Sequence, residues 1–288
     1  MKRPSLPWPV RRSGIGLFLL ASRAYVALLL GSLIPAGIAA DIRLITPPSE
    51  YTNINKAASV DHSAWQLFLD RYVVTEGSRT RVRYAAVSPE DRALLDSYLV
   101  SMSNIDAEQL ADNDAFAYWV NLYNALTVRV VLDHPEKNTI RDMGGSWFRP
   151  GPWRQPLIEV NGQTLSLDDI EHGILRADWA DHRIHFVVNC ASVGCPNLSP
   201  RAYLGHDLEA RLNSAEQEFL GDSRAISIAS DGTVILSTLF DWYESDFARD
   251  LSGLLSYLAD HRPDLAVALN KASLRVDYEY DWALNKAP

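Results

Sequence analysis

The sequence predicts an α+β protein in which a small mixed or antiparallel sheet packs against several helices. Three observations lead to this class. Apolar residues recur at helical spacing in several segments, short alternating segments flank the turn dipeptides Asn161-Gly162 and Asp231-Gly232, and no repeat or proline-rich linker divides the chain. We therefore expect a single domain over residues 61–288, preceded by an export signal at 1–40 and a loose lead-in at 41–60.

The first forty residues contain basic residues and two apolar runs but no acid, which is typical of a cleaved export signal. Both runs are shorter than the roughly 20 residues of a membrane-spanning helix, so no permanent membrane anchor is expected. Removal of the segment's five basic residues leaves 22 of the 27 Lys+Arg against 36 Asp+Glu, a formal charge of −14. So acidic a body repels nucleic acid. We expect a periplasmic or secreted protein that does not bind nucleic acid.

The first half of the body predicts three helices and one short strand. Helices are expected at 61–73, at 88–101 after the capping residue Ser88, and at 114–132, with a strand at 82–86. The helix at 114–132 has apolar residues on nearly every face, which indicates that it is buried all round.

Two asparagines, Asn121 and Asn124, lie three residues apart on that helix, so their side chains project to one flank. Buried amides must be hydrogen-bonded, and two roles are open for them. They either clamp the backbone of a neighbouring loop, or they orient a catalytic group and donate to a reacting oxygen.

A hairpin is expected at 157–165, and Ser166 with Asp169 resembles a capping box that opens a helix to about residue 177. Glu171 and His172 lie on this helix, with Glu171 at the edge of its apolar face. Because a carboxylate there is desolvated unless it is paired, Glu171 needs an interior partner. The pair therefore serves either as a structural contact or as part of a catalytic or ligand-binding site.

The apolar run at 184–188 predicts a buried strand that opens into a loop containing both cysteines of the chain, Cys190 and Cys195. Loops at strand ends often carry chemistry, because the strand positions them near solvent. In a regular strand His185 and Asn189 would share one face and Cys190 the other.

Downstream, the pattern predicts a helix at 207–220, a hairpin at 226–236, helices at 246–259 and 264–272, and a last strand at 274–278. Between the hairpin and the helices, residues 240–247 alternate aromatic and acidic side chains. That composition is unusual for a plain surface.

Five blocks carry a resemblance, and their order and spacing agree with those of one family. They are 116–125 (FAYWVNLYNA), 167–176 (LDDIEHGILR), 185–196 (HFVVNCASVGCP), 242–247 (WYESDF) and 280–285 (YDWALN). The chain from about residue 107 to its end resembles the DUF547 family, named for a domain of unknown function. By this resemblance the family positions are Asn121, Tyr123, Asn124, Glu171, His172, Arg176, His185, Asn189, Cys190, Cys195 and Pro196.

The first hypothesis is a cysteine-dependent hydrolase or acyl-transfer enzyme with a papain- or transglutaminase-like fold. Cys190 would be the nucleophile and His172 the base, because this chemistry needs a thiolate and an imidazole that takes and returns its proton. The backbone N–H groups of residues 191–194 would stabilise an oxyanion. Side chains proposed to orient the base, to bind the oxyanion or to replace the base are Asn121, Asn124, Asp241, Asn189 and His185.

Two other hypotheses stay open. In one, a Cys190–Cys195 disulfide stabilises a binding domain for a peptide-like or small-molecule ligand, without catalysis. In the other, the two thiols perform redox chemistry or bind a metal together with His172 or His185. Phosphate-loop and dinucleotide fingerprints are missing from the sequence, so no cofactor is expected.

Overall fold

The computed structural model describes residues 60–146, 149–271 and 273–287. The expected export signal at 1–40, and the lead-in up to residue 59, lie outside this described part. No helix within it is long and apolar enough to cross a membrane.

Ten α-helical segments occur in the described part of the chain. They are α1 (Ser63–Tyr72), α2 (Pro89–Ser103), α3 (Asp112–Asp133), α4 (Arg176–Trp179), α5 (Ile184–Val187), α6 (Leu208–Gly221), α7 (Leu239–Trp242), α8 (Glu244–Phe247), α9 (Leu251–His261) and α10 (Ala266–Leu269). Wide π-helical turns at Asp169–Leu175 lead into α4.

The strands are short and form four small sheets. They are β1 (Val73–Glu76), β2 (Arg79–Val82), β3 (Gly145–Ser146), β4 (Arg149–Pro150), β5 (Ile158–Val160), β6 (Gln163–Leu165), β7 (Ile226–Ile228), β8 (Val234–Ser237) and β9 (Val276–Glu279). The first six pair as three antiparallel hairpins, whereas β8 pairs antiparallel with β7 and parallel with β9. The α+β class with mixed and antiparallel pairing is confirmed, but the strands do not join into one sheet.

Local signals in the sequence account for several elements. Ser88 caps α2 by accepting a hydrogen bond from the Asp91 N–H. Ser166 and Asp169 bond reciprocally through side chain and backbone, which confirms the capping box. Asn161, at a φ of 50° beside a glycine, closes the β5–β6 hairpin.

Two predicted strands are wrong. The strand expected at 82–86 ends at Val82, because β2 begins earlier, at Arg79, and residues Tyr84–Ala86 form a 3₁₀ turn. The apolar run before the cysteines is the single helical turn α5, initiated where the Asp181 carboxylate accepts from the Arg183 N–H. A short, fully buried apolar run suits helix and strand equally, so composition misled the assignment. The expected alternation of faces at 185–190 therefore does not hold.

Helix α3 is the centre of the main core. All residues from 115 to 132 except Arg129 are buried, as the sequence predicted. Apolar side chains of α1, α2, α5 and the π-helical segment pack around it, and a second core lies between α6, α9 and the β7–β8–β9 sheet. The cysteine loop follows α5, whose Val187 lies in the first core and whose Phe186 lies in the second.

Candidate functional site

The loop after α5 is held closed by the buried side chain of Asn189. Its Oδ1 accepts from the Ala191 N–H at 2.9 Å, and its Nδ2 donates to the Pro196 carbonyl at 2.6 Å. Asn124 fixes the start of the loop, because its Oδ1 accepts from the Asn189 N–H at 2.8 Å and its Nδ2 donates to the Val187 carbonyl at 2.9 Å. Both amides therefore position the loop backbone.

Asn121 makes the same kind of clamp further along the chain. Its Nδ2 donates to the Tyr203 carbonyl at 2.8 Å, and its Oδ1 accepts from the Tyr203 N–H at 3.0 Å. Both asparagines of α3 therefore clamp backbone, which is one of the two roles expected for them.

Both cysteines are free thiols, with Cys190 partly exposed and Cys195 buried. The Cys190 N–H donates to the Cys195 sulfur at 2.9 Å, so the two thiols are close neighbours. The Cys190 sulfur lies 3.1 Å from the Ser192 hydroxyl and 3.0 Å from the Tyr280 hydroxyl. These two hydroxyls are 2.8 Å apart, so they form a hydrogen-bonded pair beside the sulfur.

These contacts shift the pKa values of the two thiols in opposite directions. Hydrogen bonding from the Cys195 thiol, followed by that from Ser192 and Tyr280, lowers the pKa of Cys190 to about 7 although burial acts in the opposite direction. Burial raises the pKa of Cys195, and the hydrogen bond to Cys190 and its negative charge raise it further. Of the two thiols, Cys190 therefore ionises more readily near neutral pH.

The C-terminal segment 280–285 places Tyr280 at the thiol. The N–H groups of Val193 and Gly194 donate to carbonyls of this segment at 2.7 and 2.8 Å. A Cβ on Gly194 would lie 2.9 Å from the Asp281 nitrogen, so only glycine allows this close approach. Because these contacts directly follow Ser192 in the chain, they hold Tyr280 and the loop in register.

A partly buried arginine also supports the loop. Arg224 donates to the carbonyls of Val193 and Cys195 at 3.1 and 2.8 Å, and its charge is balanced by Asp222 at 3.1 Å. Asp222 also pairs with Arg79 of β2 at 2.9 Å. The position of Cys195 thus depends on an ion-pair chain that reaches the β1–β2 hairpin.

Glu171 and His185 meet in a buried cluster next to the loop. The His185 Nε2 lies 2.7 Å from Asp246 Oδ2, its Nδ1 lies 3.7 Å from Glu171 Oε1, and its ring stacks on Tyr243 at 3.9 Å. Nδ1 has no hydrogen-bond partner among the described residues. Burial lowers the pKa of His185, although Asp246 and Glu171 both oppose this shift.

His172 occupies the outer part of the same cluster. Its Nδ1 lies 3.2 Å from a guanidinium nitrogen of Arg176, its Nε2 lies 3.8 Å from Asp168 Oδ1, and its ring lies beside Tyr243. Arg176 in turn forms a two-nitrogen pair with Asp246 at 2.6 and 2.7 Å. In the described part of the chain, the hydrogen bonds of Cys190 join it to hydroxyl and thiol groups and not to a histidine.

The site residues expected from the sequence therefore form two neighbouring groups. One contains the cysteines, Asn189 and Asn124, and the other contains Glu171, His172 and His185. Tyr123 is near both groups. Burial raises the pKa of its hydroxyl, and the negative charges of Glu171 in one group and Cys190 in the other raise it further. Across the described residues, no group of three or more His, Cys, Asp or Glu side chains is placed to hold a metal ion.

Four contributors were not identified in advance: Ser192, Tyr243, Asp246 and Tyr280. Each lies inside a block of the family resemblance, and two belong to the unusual aromatic and acidic segment 240–247. The alternation of aromatic and acidic residues was the available signal, because it supplies the ring stacked on His185 and the carboxylate bonded to it.

Comparison with known proteins identifies part of the chain. Neither the curated proteins nor the solved structures gave a match. The family model described as "Protein of unknown function, DUF547" matches residues 107–220, which contain both cysteines, Glu171 and His185 but neither Asp246 nor Tyr280. Residues 107–220 of this chain are thus a DUF547 domain.

Proposed function

We propose that the cysteine loop performs thiol–disulfide exchange, with Cys190 as the attacking thiol and Cys195 as the resolving thiol. The observation that carries the proposal is the pairing of the two thiols. Cys190 is partly exposed and its pKa is lowered to about 7, and the buried Cys195 sulfur accepts a hydrogen bond from the Cys190 backbone N–H. An attacking thiol with a pKa near the ambient pH combines thiolate content with nucleophilicity. The four residues between the cysteines depart from the usual spacing of two, but the closed loop brings the sulfurs together.

In the first step the Cys190 thiolate attacks one sulfur of a substrate disulfide R–S–S–R′. A Cys190–S–S–R bond forms, the S–S bond of the substrate breaks, and R′–S⁻ leaves and takes a proton from solvent. The step consumes the negative charge on Cys190 that, together with burial, raises the pKa of Cys195. Deprotonation of Cys195 therefore becomes easier only after the mixed disulfide exists.

In the second step the Cys195 thiolate attacks the Cys190 sulfur and expels R–S⁻. Two electrons pass from the protein dithiol to the substrate, which becomes two thiols, and the protein holds a Cys190–Cys195 disulfide. A small dithiol reductant would return the protein to its starting state. The export signal expected at residues 1–40 would deliver the chain to an oxidising compartment, in which such a pair can cycle between both states.

Acyl transfer of the papain or transglutaminase type is the second candidate, since the same thiolate would attack a carbonyl carbon. Its oxyanion site has less support. The N–H groups of Ala191, Val193 and Gly194 already donate to Asn189 and to the C-terminal segment. His185 is directed to Asp246, so the Tyr280 and Ser192 hydroxyls would have to move the proton.

The test uses the purified chain, in which Cys190 and Cys195 are the two cysteines present, and the reagent 5,5′-dithiobis(2-nitrobenzoate). Exchange predicts that the wild type releases two thionitrobenzoate ions and keeps no adduct, so that its mass falls by two hydrogens. Cys195→Ser should release one ion and retain one adduct at Cys190. A wild type that retains an adduct on Cys190 would overturn the proposal.

The second candidate is tested in parallel with p-nitrophenyl acetate. Turnover that is lost in Cys190→Ser but kept in Cys195→Ser would support acyl transfer. Exchange predicts that the acyl group stays on Cys190 without turnover. Cell fractionation tests export, and N-terminal sequencing of the exported protein tests signal cleavage. Recovery of the chain in the cytoplasm alone would contradict export, and an intact residue 1 would contradict cleavage.

A further inference from the structure

A cavity of about 340 Å³ lies beyond the cysteine loop, between the segment 197–203 and helix α6. Its walls include Arg201, Tyr203, Asp207 and Arg211, and Phe186 and Phe219 supply apolar surface. We propose that this cavity binds a small zwitterion, namely an apolar amino acid or a dipeptide. The proposal is independent of the thiol chemistry, because no cysteine lines the cavity.

The cationic side of the cavity is built around Arg211. One of its guanidinium nitrogens donates to the Ser199 hydroxyl at 2.6 Å and to the Arg201 carbonyl at 2.8 Å, and the group lies over the Tyr203 ring at 4.9 Å. These contacts fix the direction of the guanidinium without pairing it with a carboxylate. Among the described carboxylates, none forms an ion pair with Arg211 or Arg201.

Two guanidinium groups that form no ion pair with a described carboxylate line one cavity, in a chain with a formal charge of −9. Arginine binds carboxylates through parallel N–H donors, and less ordering is needed when the side chain is already held in place. A ligand carboxylate at Arg211 is the simplest partner for this arrangement.

The anionic side is supplied by Asp207 and Glu218. Asp207 directly precedes α6, where an aspartate usually caps the helix, but its side chain makes no capping bond. Its Oδ1 is buried and has no hydrogen-bond partner among the described residues. Because Asp207 and Glu218 both line the cavity and carry negative charge, the cavity also favours a cationic donor such as an ammonium group.

Both signs of charge in one cavity discriminate between classes of ligand. Inorganic phosphate would meet the guanidinium groups but would be repelled by Asp207 and Glu218, whereas a zwitterion satisfies both sides. The volume is at the lower end of the range for small-molecule sites, about 300–1,000 Å³. The rings of Phe186 and Phe219 favour an apolar side chain on the ligand.

The test is isothermal titration calorimetry of the full chain with L-phenylalanine, N-acetyl-L-phenylalanine, L-phenylalaninamide and inorganic phosphate. We expect L-phenylalanine to bind, and we expect loss of the ammonium or of the carboxylate to weaken binding at least about tenfold, since hydrogen bonds to charged groups are of that strength. Arg211→Ala should weaken binding by a similar factor, and Arg211→Lys by less. Arg249→Ala is the matched control, since it removes an exposed arginine outside the cavity wall.

Three outcomes would overturn the proposal. They are failure of L-phenylalanine to bind, tighter binding of phosphate than of L-phenylalanine, or equal binding by Arg211→Ala and wild type. If Arg211→Ala does not fold, Ser214→Trp fills the cavity from α6 without removing the arginine and should abolish binding. Cys190→Ser should bind as the wild type does, which separates this site from the thiol chemistry.

Discussion

Replacing Tyr280 with phenylalanine should make Cys190 a weaker acid and therefore a slower nucleophile at neutral pH. The Tyr280 hydroxyl lies 3.0 Å from the Cys190 sulfur and contributes to lowering the pKa of that thiol to about 7. The substitution removes this donor and retains the ring, which packs against Trp242 and Trp282. The change thus removes the hydroxyl, with its bonds to Cys190 and Ser192, and leaves the ring packing in place.

The expected magnitude follows from the strength of one hydrogen bond to a charged group, about 1.5 kcal/mol at the lower end of the range. Since about 1.4 kcal/mol corresponds to one pH unit, the midpoint of thiolate formation should rise by about one unit. At pH 7 the thiolate fraction then falls from about one half to about one tenth, roughly a fivefold decrease.

The assay is the rate of alkylation by iodoacetamide between pH 5 and pH 10, performed in the Cys195→Ser background so that a single sulfur reacts. Since Cys195 is the largest contributor to the low pKa, the reference midpoint must be measured in the same background. Tyr118→Phe is the matched control, because it also removes a buried hydroxyl, one that donates to the Met102 carbonyl. Equal midpoints with and without the Tyr280 hydroxyl would refute the assigned role of Tyr280.

Three further predictions concern stability and loop geometry. Burial lowers the pKa of His62 to about 4, so on acidification this histidine is protonated in the unfolded chain before it is protonated in the folded one. The free energy of unfolding of the wild type, measured by urea titration, should therefore fall by about 2 kcal/mol between pH 7 and pH 5. His62→Gln should not show this fall. Parallel pH profiles would contradict this. Asn124→Ala should lower the free energy of unfolding, measured in urea, by about 2 kcal/mol or more, because it leaves the Asn189 N–H and the Val187 carbonyl unpaired. An unchanged free energy of unfolding would contradict the role of Asn124 as a backbone clamp. Gly194→Ala should displace the segment at Asp281 and slow Cys190 alkylation at pH 7, whereas unchanged alkylation would show that this register is not required.

Sequence reasoning was most successful where one residue determines a local structure. The cap at Ser88, the capping box at Ser166 and the turn at Asn161 each depend on a side chain or backbone preference that acts over three or four residues. The all-round burial of α3 also followed directly from its composition. These features need no knowledge of what lies across the core.

Long-range partners were less accessible. The helical turn α5 lies where the sequence predicts a strand, because the short apolar run at 184–188 has no period that distinguishes a helix from a strand. The partner of His185 is Asp246, 61 residues away, and that of Cys190 is Tyr280, 90 residues away. Spacing along a chain does not indicate such pairs. The sequence therefore suggests a histidine as the base for Cys190, whereas the structure places hydroxyl groups next to the sulfur.

The contribution of residues 246 and 280 to the two halves of the site bears on how relatives should be compared. The matched segment 107–220 contains Cys190, the nucleophile proposed above, but one hydroxyl that lowers the pKa of its thiol and the carboxylate bonded to the His185 imidazole lie outside those bounds. Two proteins could share that segment and still differ in reactivity. A comparison of relatives should therefore ask whether a carboxylate occurs at the position of residue 246 and a phenol at that of residue 280. Similarity around the cysteines alone is not enough to conclude that two such proteins share the same reactivity.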